Sequence, residues 1–209
     1  MKDRTPTRAT QKRYDRIAPI YDAMEVVVEK AAFSDWRARL WSYVEGQTIL
    51  EVGVGTGKNL RYHPNGTEVT SIDISQKMMA RAQQRKDQSD AIVAFAQADA
   101  QRLPFAAATF DTAVATFVFC SVPDPIRGLE AVKRVVRPNG QVLLLEHVRV
   151  NAPVIGPLMD LLDPISVRIM GPHIARRTVE NVDKAGLSIE TVEELTAGGL
   201  VKLIRARVP

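Results

Sequence analysis

Apolar residues in this chain fall in short, nearly continuous runs, and stretches with helical spacing lie between them. Ile49, Leu50 and Val52 supply a buried first strand, and residues 69–72 begin a second. Residues 92–96, 111–116 and 141–148 read as strands three to five, the last very apolar. Between them, residues 77–85 have helical spacing, with Ser75 as N-cap and Met78, Met79 and Ala82 on one face. Residues 126–136 do the same with Leu129, Val132, Val135 and Val136. Arg137-Pro138-Asn139-Gly140 is a turn. Residues 189–195 and 201–208, around Gly198-Gly199, read as a hairpin. The pattern predicts one α/β domain over 1–209: a doubly wound, Rossmann-like, seven-stranded sheet closed by an antiparallel C-terminal hairpin.

The first strand runs into Glu51-Val52-Gly53-Val54-Gly55-Thr56-Gly57, and Asp73 ends the second strand. Glycines there let the backbone turn tightly and approach a ligand closely. An acid at the carboxyl end of the second strand can accept both hydroxyls of a ribose, at the switch in strand order where open parallel sheets bind ligands. The spacing is G-x-G-x-G, whereas the dinucleotide fingerprint is G-x-G-x-x-G. An acid, Glu51, also stands two residues before the first glycine. A pyrophosphate wants a bare helix N-terminus. A sulfonium with an amino-acid tail carries an ammonium and wants an acid nearby.

Composition narrows the setting. No apolar run reaches the ~18 residues of a membrane span, and the polar N-terminus does not look like a signal peptide. Cys120 is the only cysteine, so no internal disulfide or Cys-cluster zinc site is possible; no metal is expected, and a cytoplasmic setting is. Lys2, Arg4, Arg8, Lys12, Arg13 and Arg16 against Asp3 and Asp15 account for the whole net charge of +4. A cationic arm on a neutral body points to an anionic partner, a membrane surface or nucleic acid. The membrane surface is the expectation, with peripheral association, no nucleic acid and no obligate protein partner.

The E-x-G-x-G-x-G form resembles motif I of the class I methyltransferases, which bind S-adenosylmethionine and release S-adenosylhomocysteine. Other pieces follow in family order. Asp99-Ala100 resembles the pair that contacts the adenine, Phe110-Asp111 the entry to motif IV, and residues 135–140 the L-x-P-G-G turn before strand five. Asn139 replaces a glycine there, at a left-handed position that asparagine tolerates. The resemblance implies cofactor contacts from Glu51, Gly53, Gly55, Gly57, Asp73, Ile74, Met78, Asp99, Ala100 and Thr116.

Residues 14–22, Y-D-R-I-A-P-I-Y-D, resemble the opening of quinone-biosynthesis methyltransferases and of the bacterial phosphatidylethanolamine N-methyltransferases that do not span the membrane. In those families the opening is a lid over the cofactor. Here residues 1–30 form a basic amphipathic segment whose apolar stripe runs through Tyr14, Ile17, Tyr21, Met24 and Val28, with Pro19 expected to kink the helix or start a second one. Residues 150–180 are proline-broken and apolar, a wall on the substrate side, with Arg168, Arg176 and Arg177 at its far end to hold a lipid phosphate. The strand-four exit 117–122 and Leu145-Glu146-His147 look like phospholipid N-methyltransferases and also like thiol methyltransferases. The implied activity is N-methylation of phosphatidylethanolamine and its mono- and dimethyl derivatives toward phosphatidylcholine. A quinone ring carbon or a small thiol is the alternative acceptor, and a cofactor-binding module without catalysis the alternative class. A protonated amine must lose a proton before it attacks, and Tyr14, Tyr21, Glu146 and His147 are the candidates to take it.

Overall fold

The computed structural model describes residues 5–28, 33–169 and 173–209. Helix α1 (Thr5–Val28) and helix α2 (Ser34–Ser42) precede the sheet. Then come β1 (Thr48–Val52), β2 (Glu68–Asp73), α3 (Gln76–Gln84), β3 (Ile92–Gln97), β4 (Phe110–Thr116), α4 (Pro125–Val135), β5 (Val136–His147), α5 (Ile155–Ile169), α6 (Thr178–Lys184), β6 (Ser188–Glu194) and β7 (Val201–Arg207). The strand order is β3-β2-β1-β4-β5-β7-β6. Strands β1 to β5 are parallel, and β7 runs antiparallel between β5 and β6. The expected seven-stranded sheet with its reversed C-terminal hairpin is what forms.

Alternation along the strands explains the two cores. Leu50, Val52 and Leu144 point to the face covered by Leu129, Val132 and Val135 of α4 and Val182 of α6. Ile49, Leu143 and Leu145 point to the other, against Leu40 and Trp41 of α2. Strands buried on both faces read as apolar runs, as residues 142–145 of β5 do, while β1 admits Glu51 as a buried polar exception. Full burial of each leucine contributes roughly 1.5–3 kcal/mol. Two caps fall where the side chains require them: Ser75 accepts from the Met78 N–H at α3, and Asp124 accepts from the Arg127 N–H at α4, ahead of Pro125 at its start.

Two local expectations change. Pro19 starts no second helix; α1 runs through it unbroken. The stretch 136–140 carries no free turn: β5 begins at Val136, opposite Phe110, with a register shift before Gln141, and Asn139 takes the left-handed conformation at φ 61°.

Gly57 is held against α3. Its φ is +86°, and a β-carbon there would lie 2.8 Å from Leu60 and 2.9 Å from the backbone of Ala82 in α3. Gly57→Ala should therefore cost about 2–4 kcal/mol, part from the left-handed backbone and part from overpacking. Thermal unfolding should show a fall of roughly 5–10 °C; an unchanged midpoint would mean that α3 and the loop move apart freely.

Candidate functional site

Strands β1 and β4 are neighbours, yet the chain leaves β1 toward β2 and leaves β4 toward β5, and a crevice opens above their carboxyl ends. It encloses about 770 Å³, part of it open to solvent, and is lined by the glycine loop, Asp73, Asp99, Phe117 and α1.

The glycine loop is built against β2. The N–H groups of Gly53 and Val54 both donate to the Ile72 carbonyl. Gly53, Gly55 and Gly57 all have positive φ. Gly55 then donates its N–H to Asp73 Oδ2 at 2.8 Å, and Ser75 donates to Oδ1 at 2.8 Å. Each carboxylate oxygen keeps a lone pair, and Asp73 lines the crevice. A β-carbon on Gly55 would meet nothing within 4 Å, so the backbone there fronts open crevice that a ligand can fill. An acid for a ribose and a bare backbone cradle for a small amino-acid chain fit S-adenosylmethionine. Burial raises the Asp73 carboxyl to about 6 against the two N–H donors that lower it, with Glu51 and Asp15 adding to the rise. Ile74, Met78, Ala100 and Thr116 also line the crevice. Gly57 packs on α3 behind it.

Glu51 is placed differently from its expected position at a ligand ammonium. It is fully buried beneath the loop. Oε1 accepts from Asn59 Nδ2 at 2.8 Å, Oε2 accepts from Ser71 Oγ at 2.6 Å, and His63 Nε2 lies 3.3 Å away. Burial alone would raise this carboxyl, but His63, Ser71 and Asn59 together hold it below its ordinary range. Asn59 also donates to Thr116 Oγ1 and accepts from the buried Arg37. A charge this deep persists only when paired. The acid thus braces the loop from below.

Helix α1 closes the top of the crevice. Thr7 donates to Asp99 Oδ2 at 3.3 Å, and Gln101 donates to Asp99 Oδ1 from its N–H and its amide. Asp15 accepts from Ser75 Oγ at 2.6 Å, and the Pro19 carbonyl accepts from Arg81. Tyr14 is bonded to Ser121 at 2.6 Å. Burial pushes the Tyr14 phenol far above its ordinary range, so at neutral pH it is an O–H group, unsuited to taking a proton. The side chain of Tyr21 lies outside the described residues.

On the acceptor side, Glu146 is fully buried below the loop that leaves β4. Its Oε1 accepts from the N–H groups of Val118 and Phe119, both at 2.9 Å, and Oε2 has no partner among the described residues. Burial raises its carboxyl to about 7 against those donors. The carboxyl is not among the groups lining the crevice, so it shapes the loop rather than meeting an acceptor there. His147 stacks on Phe117, with ring centroids 4.5 Å apart, and Phe117 lines the crevice with a left-handed φ of 56°. Arg176 donates to the Val122 carbonyl at 2.7 Å, while its Nε is buried without a partner among the described residues. Arg177 is exposed and paired with Glu180. The side chain of Arg168 lies outside the described residues. Val154 and, along the continuous helix α5, Ile155, Leu158, Leu161 and Leu162 face outward, and among the described residues none at 150–180 lines the crevice as the expected wall would.

Asn59, His63, Arg37 and Ser121 escaped the sequence reading. Only Ser121 had a signal, its place in the strand-four exit.

Asp73 sets a pH dependence with opposite signs for ligand and fold. Above about pH 7 it is ionised and accepts; below about 6 it is protonated. S-adenosylmethionine affinity should stay level above pH 7 and fall by up to about tenfold per pH unit below 6. Asp73→Asn should weaken binding by ~1–3 kcal/mol and flatten that profile. The same raised carboxyl makes the cofactor-free fold gain stability from this residue as pH drops from about 6 toward about 4. Calorimetry from pH 5 to 8 tests the first; a wild-type affinity that ignores pH would take Asp73 out of the contact.

A family model described as a methyltransferase domain matches residues 50–144. A phosphatidylethanolamine N-methyltransferase of Cereibacter sphaeroides is 39% identical over 77% of this chain and 79% of its own length. A demethylmenaquinone methyltransferase of Renibacterium salmoninarum is 30% identical over 80% and 69%. The crystal structure of an S-adenosylmethionine-dependent methyltransferase of Thermotoga maritima, described as a possible histamine N-methyltransferase, shares the fold: the TM-score is 0.73, identity 20%, and coverage 95% of this chain and 100% of that one. With these relatives, this sheet and this crevice, the chain belongs to the class I S-adenosylmethionine-dependent methyltransferases.

Proposed function

We propose that the acceptor is the amine of a phosphatidylethanolamine headgroup and of its mono- and dimethyl derivatives, methylated toward phosphatidylcholine. The observation that carries this reading is Arg176. Its guanidinium reaches the carbonyl of Val122 on the crevice rim, and its Nε is buried without a partner among the described residues. Burial of that cation lowers its pKa, partly offset by Cys120, Asp163 and Glu146. An unsatisfied buried donor on an arginine calls for an acceptor, and a lipid phosphate matches its planar fork. The likeness to the Cereibacter enzyme supports the same acceptor.

Bound S-adenosylmethionine supplies a sulfonium methyl for in-line displacement, and the leaving thioether needs no acid. The protein's work is positioning and proton removal. Asp73 and Asp99 are proposed to hold the ribose and adenine, and the Gly53–Gly55 backbone the amino-acid end. A headgroup amine near the lysine reference of ~10.4 arrives protonated. Of the candidates, Tyr14 lines the crevice but is held as an O–H, while Glu146 and His147 lie behind its wall, Glu146 beneath the loop and His147 stacked on Phe117, so His147 is proposed to take the proton only through a relay past that ring.

Labelled cofactor offered with phosphatidylethanolamine, a quinol or an alkyl thiol should label the lipid amine. Label in the quinol alone would move the acceptor to a ring carbon, as the name of the Renibacterium relative suggests. Cofactor binding with no labelled product would favour a module without catalysis. Arg176→Ala should cost ~2–4 kcal/mol in kcat/KM for the phospholipid, Arg176→Lys should restore part, and Arg177→Ala should stay near wild type. Steady-state kinetics on mixed micelles provides the comparison. An Arg176→Ala variant that folds and keeps full activity would leave the phosphate without its partner.

A further inference from the structure

Helix α5 is turned inside out. Val154, just before it, and Ile155, Leu158, Leu161 and Leu162 along it are all exposed, Val154 by 77% and Leu161 by 72%. Their spacing makes one stripe, the arrangement that ordinarily faces a core. The inner side of the helix is already occupied. Gly156 lies so close that a β-carbon would meet the Val150 carbonyl at 2.7 Å and the Arg149 guanidinium at 2.8 Å. Met159 is buried with its sulfur on the Val150 N–H, and Arg149 grips Asp160 with two bonds of 2.8 Å. The helix is fastened by its small and polar side and shows its apolar side outward.

Its position joins it to the crevice. After α5 the chain returns to the β4 exit loop: the His173 N–H donates to the Cys120 carbonyl and Arg176 to that of Val122. The lid α1 meets the same loop through Tyr14 and Ser121. Arg8, Lys12 and Arg16 of α1 are exposed and recur every four residues, a cationic stripe.

We infer that α5 inserts its outward face into the interfacial hydrocarbon of an anionic bilayer, with the α1 stripe on the surrounding headgroups, so that the crevice rim is seated at the surface. The choice of surface rests on the proposed lipid acceptor. The helix lies in the plane: 15 residues span about 22 Å, short of the ~30 Å core, and among the described residues no helix is long and apolar enough to cross a membrane. Charge selects a bilayer over a second copy of this chain. The exposed Arg8, Lys12 and Arg16 of α1, which bonds the same β4 exit loop, are opposed with the other sign by anionic lipid, and a second copy of this helix offers no such complement.

The test uses the full chain and vesicles of phosphatidylcholine with phosphatidylglycerol. Leu158→Glu combined with Leu161→Glu should lower vesicle affinity at least about 30-fold, since two large apolar side chains lose their burial. These sites are exposed, so thermal unfolding should hold, and methylation of monomeric short-chain phosphatidylethanolamine should stay within about threefold. In Leu161→Trp, the added indole emission should shift blue with vesicles and be quenched by brominated acyl chains. Undiminished vesicle binding by the double variant, or no quenching by brominated lipid, would overturn the insertion. A blue shift that grows with protein concentration in the absence of lipid would assign the face to a second copy. Failure of the wild type to methylate short-chain lipid would instead sink the acceptor reading, whatever the vesicles show.

Discussion

Two backbone N–H groups, from Gly55 and Ser75, converge on the carboxylate of Asp73. Through them the glycine loop, the end of β2 and the start of α3 become one rigid unit. Ser75 extends it further. Its hydroxyl caps α3 by accepting from Met78 and donates to Asp15 of α1. One short polar side chain therefore ties a helix cap, a half-buried acid and helix α1 together. The cost is a carboxylate held where burial works against its charge, which is why its pKa climbs to about 6. Sites that bind charged or polar ligands often carry such strain, and the ligand's own donors relieve it.

The buried acids Glu51 and Glu146 play parallel parts under the two loops that frame the crevice. Glu51 braces the loop after β1 through side chains, with Asn59 passing the constraint on to Thr116 at the end of β4. Glu146 braces the loop after β4 through the N–H groups of Val118 and Phe119. The next residue back, Phe117, sits at a φ of 56°, a conformation costly for a bulky side chain. Its N–H on the Leu145 carbonyl, the ring of His147 and the grip of Glu146 on the following residues hold it there. Gly53 completes the fit, since any β-carbon on it would collide with Val118 at 2.4 Å. The two loops are thus spaced by contact as well as by hydrogen bonds.

The fold was legible because strands buried on both faces carry apolar runs, as β5 does, and because Ser75 and Asn139 each carry a local requirement that their own chemistry meets. The crevice was legible for the same reason: a glycine triplet and an acid at a strand end are local patterns. What failed was direction. Spacing put Glu51 and Glu146 at the right ends of their strands but did not say that both carboxylates turn beneath the loops. Partners explain that, and they come from other elements: Ser71 of β2 meets Glu51 across 20 positions, and Val118 and Phe119 meet Glu146 across 28 and 27. The apolar stripe of α5 failed in the same way. A stripe predicts burial against something, and the sequence alone assigned it to the crevice.

That misassignment shows what governs the acceptor side. Gly156 and Met159 give α5 a narrow inner seat on Val150, too small to cover five large apolar side chains as well. The Arg149–Asp160 fork then fixes which side of the helix faces in. Segments on either side of α5 are anchored to the body: Val148 pairs with Leu200, and His173 and Arg176 reach the carbonyls of Cys120 and Val122. The chain after α5 is therefore bonded to the β4 exit loop. That same loop bonds α1 at Ser121 and lines the crevice at Phe117 and Val118. Its position is set jointly by the buried Glu146, the left-handed Phe117 and the glycine loop opposite. The crevice rim is thus the segment at which α1 and the chain after α5 are both held.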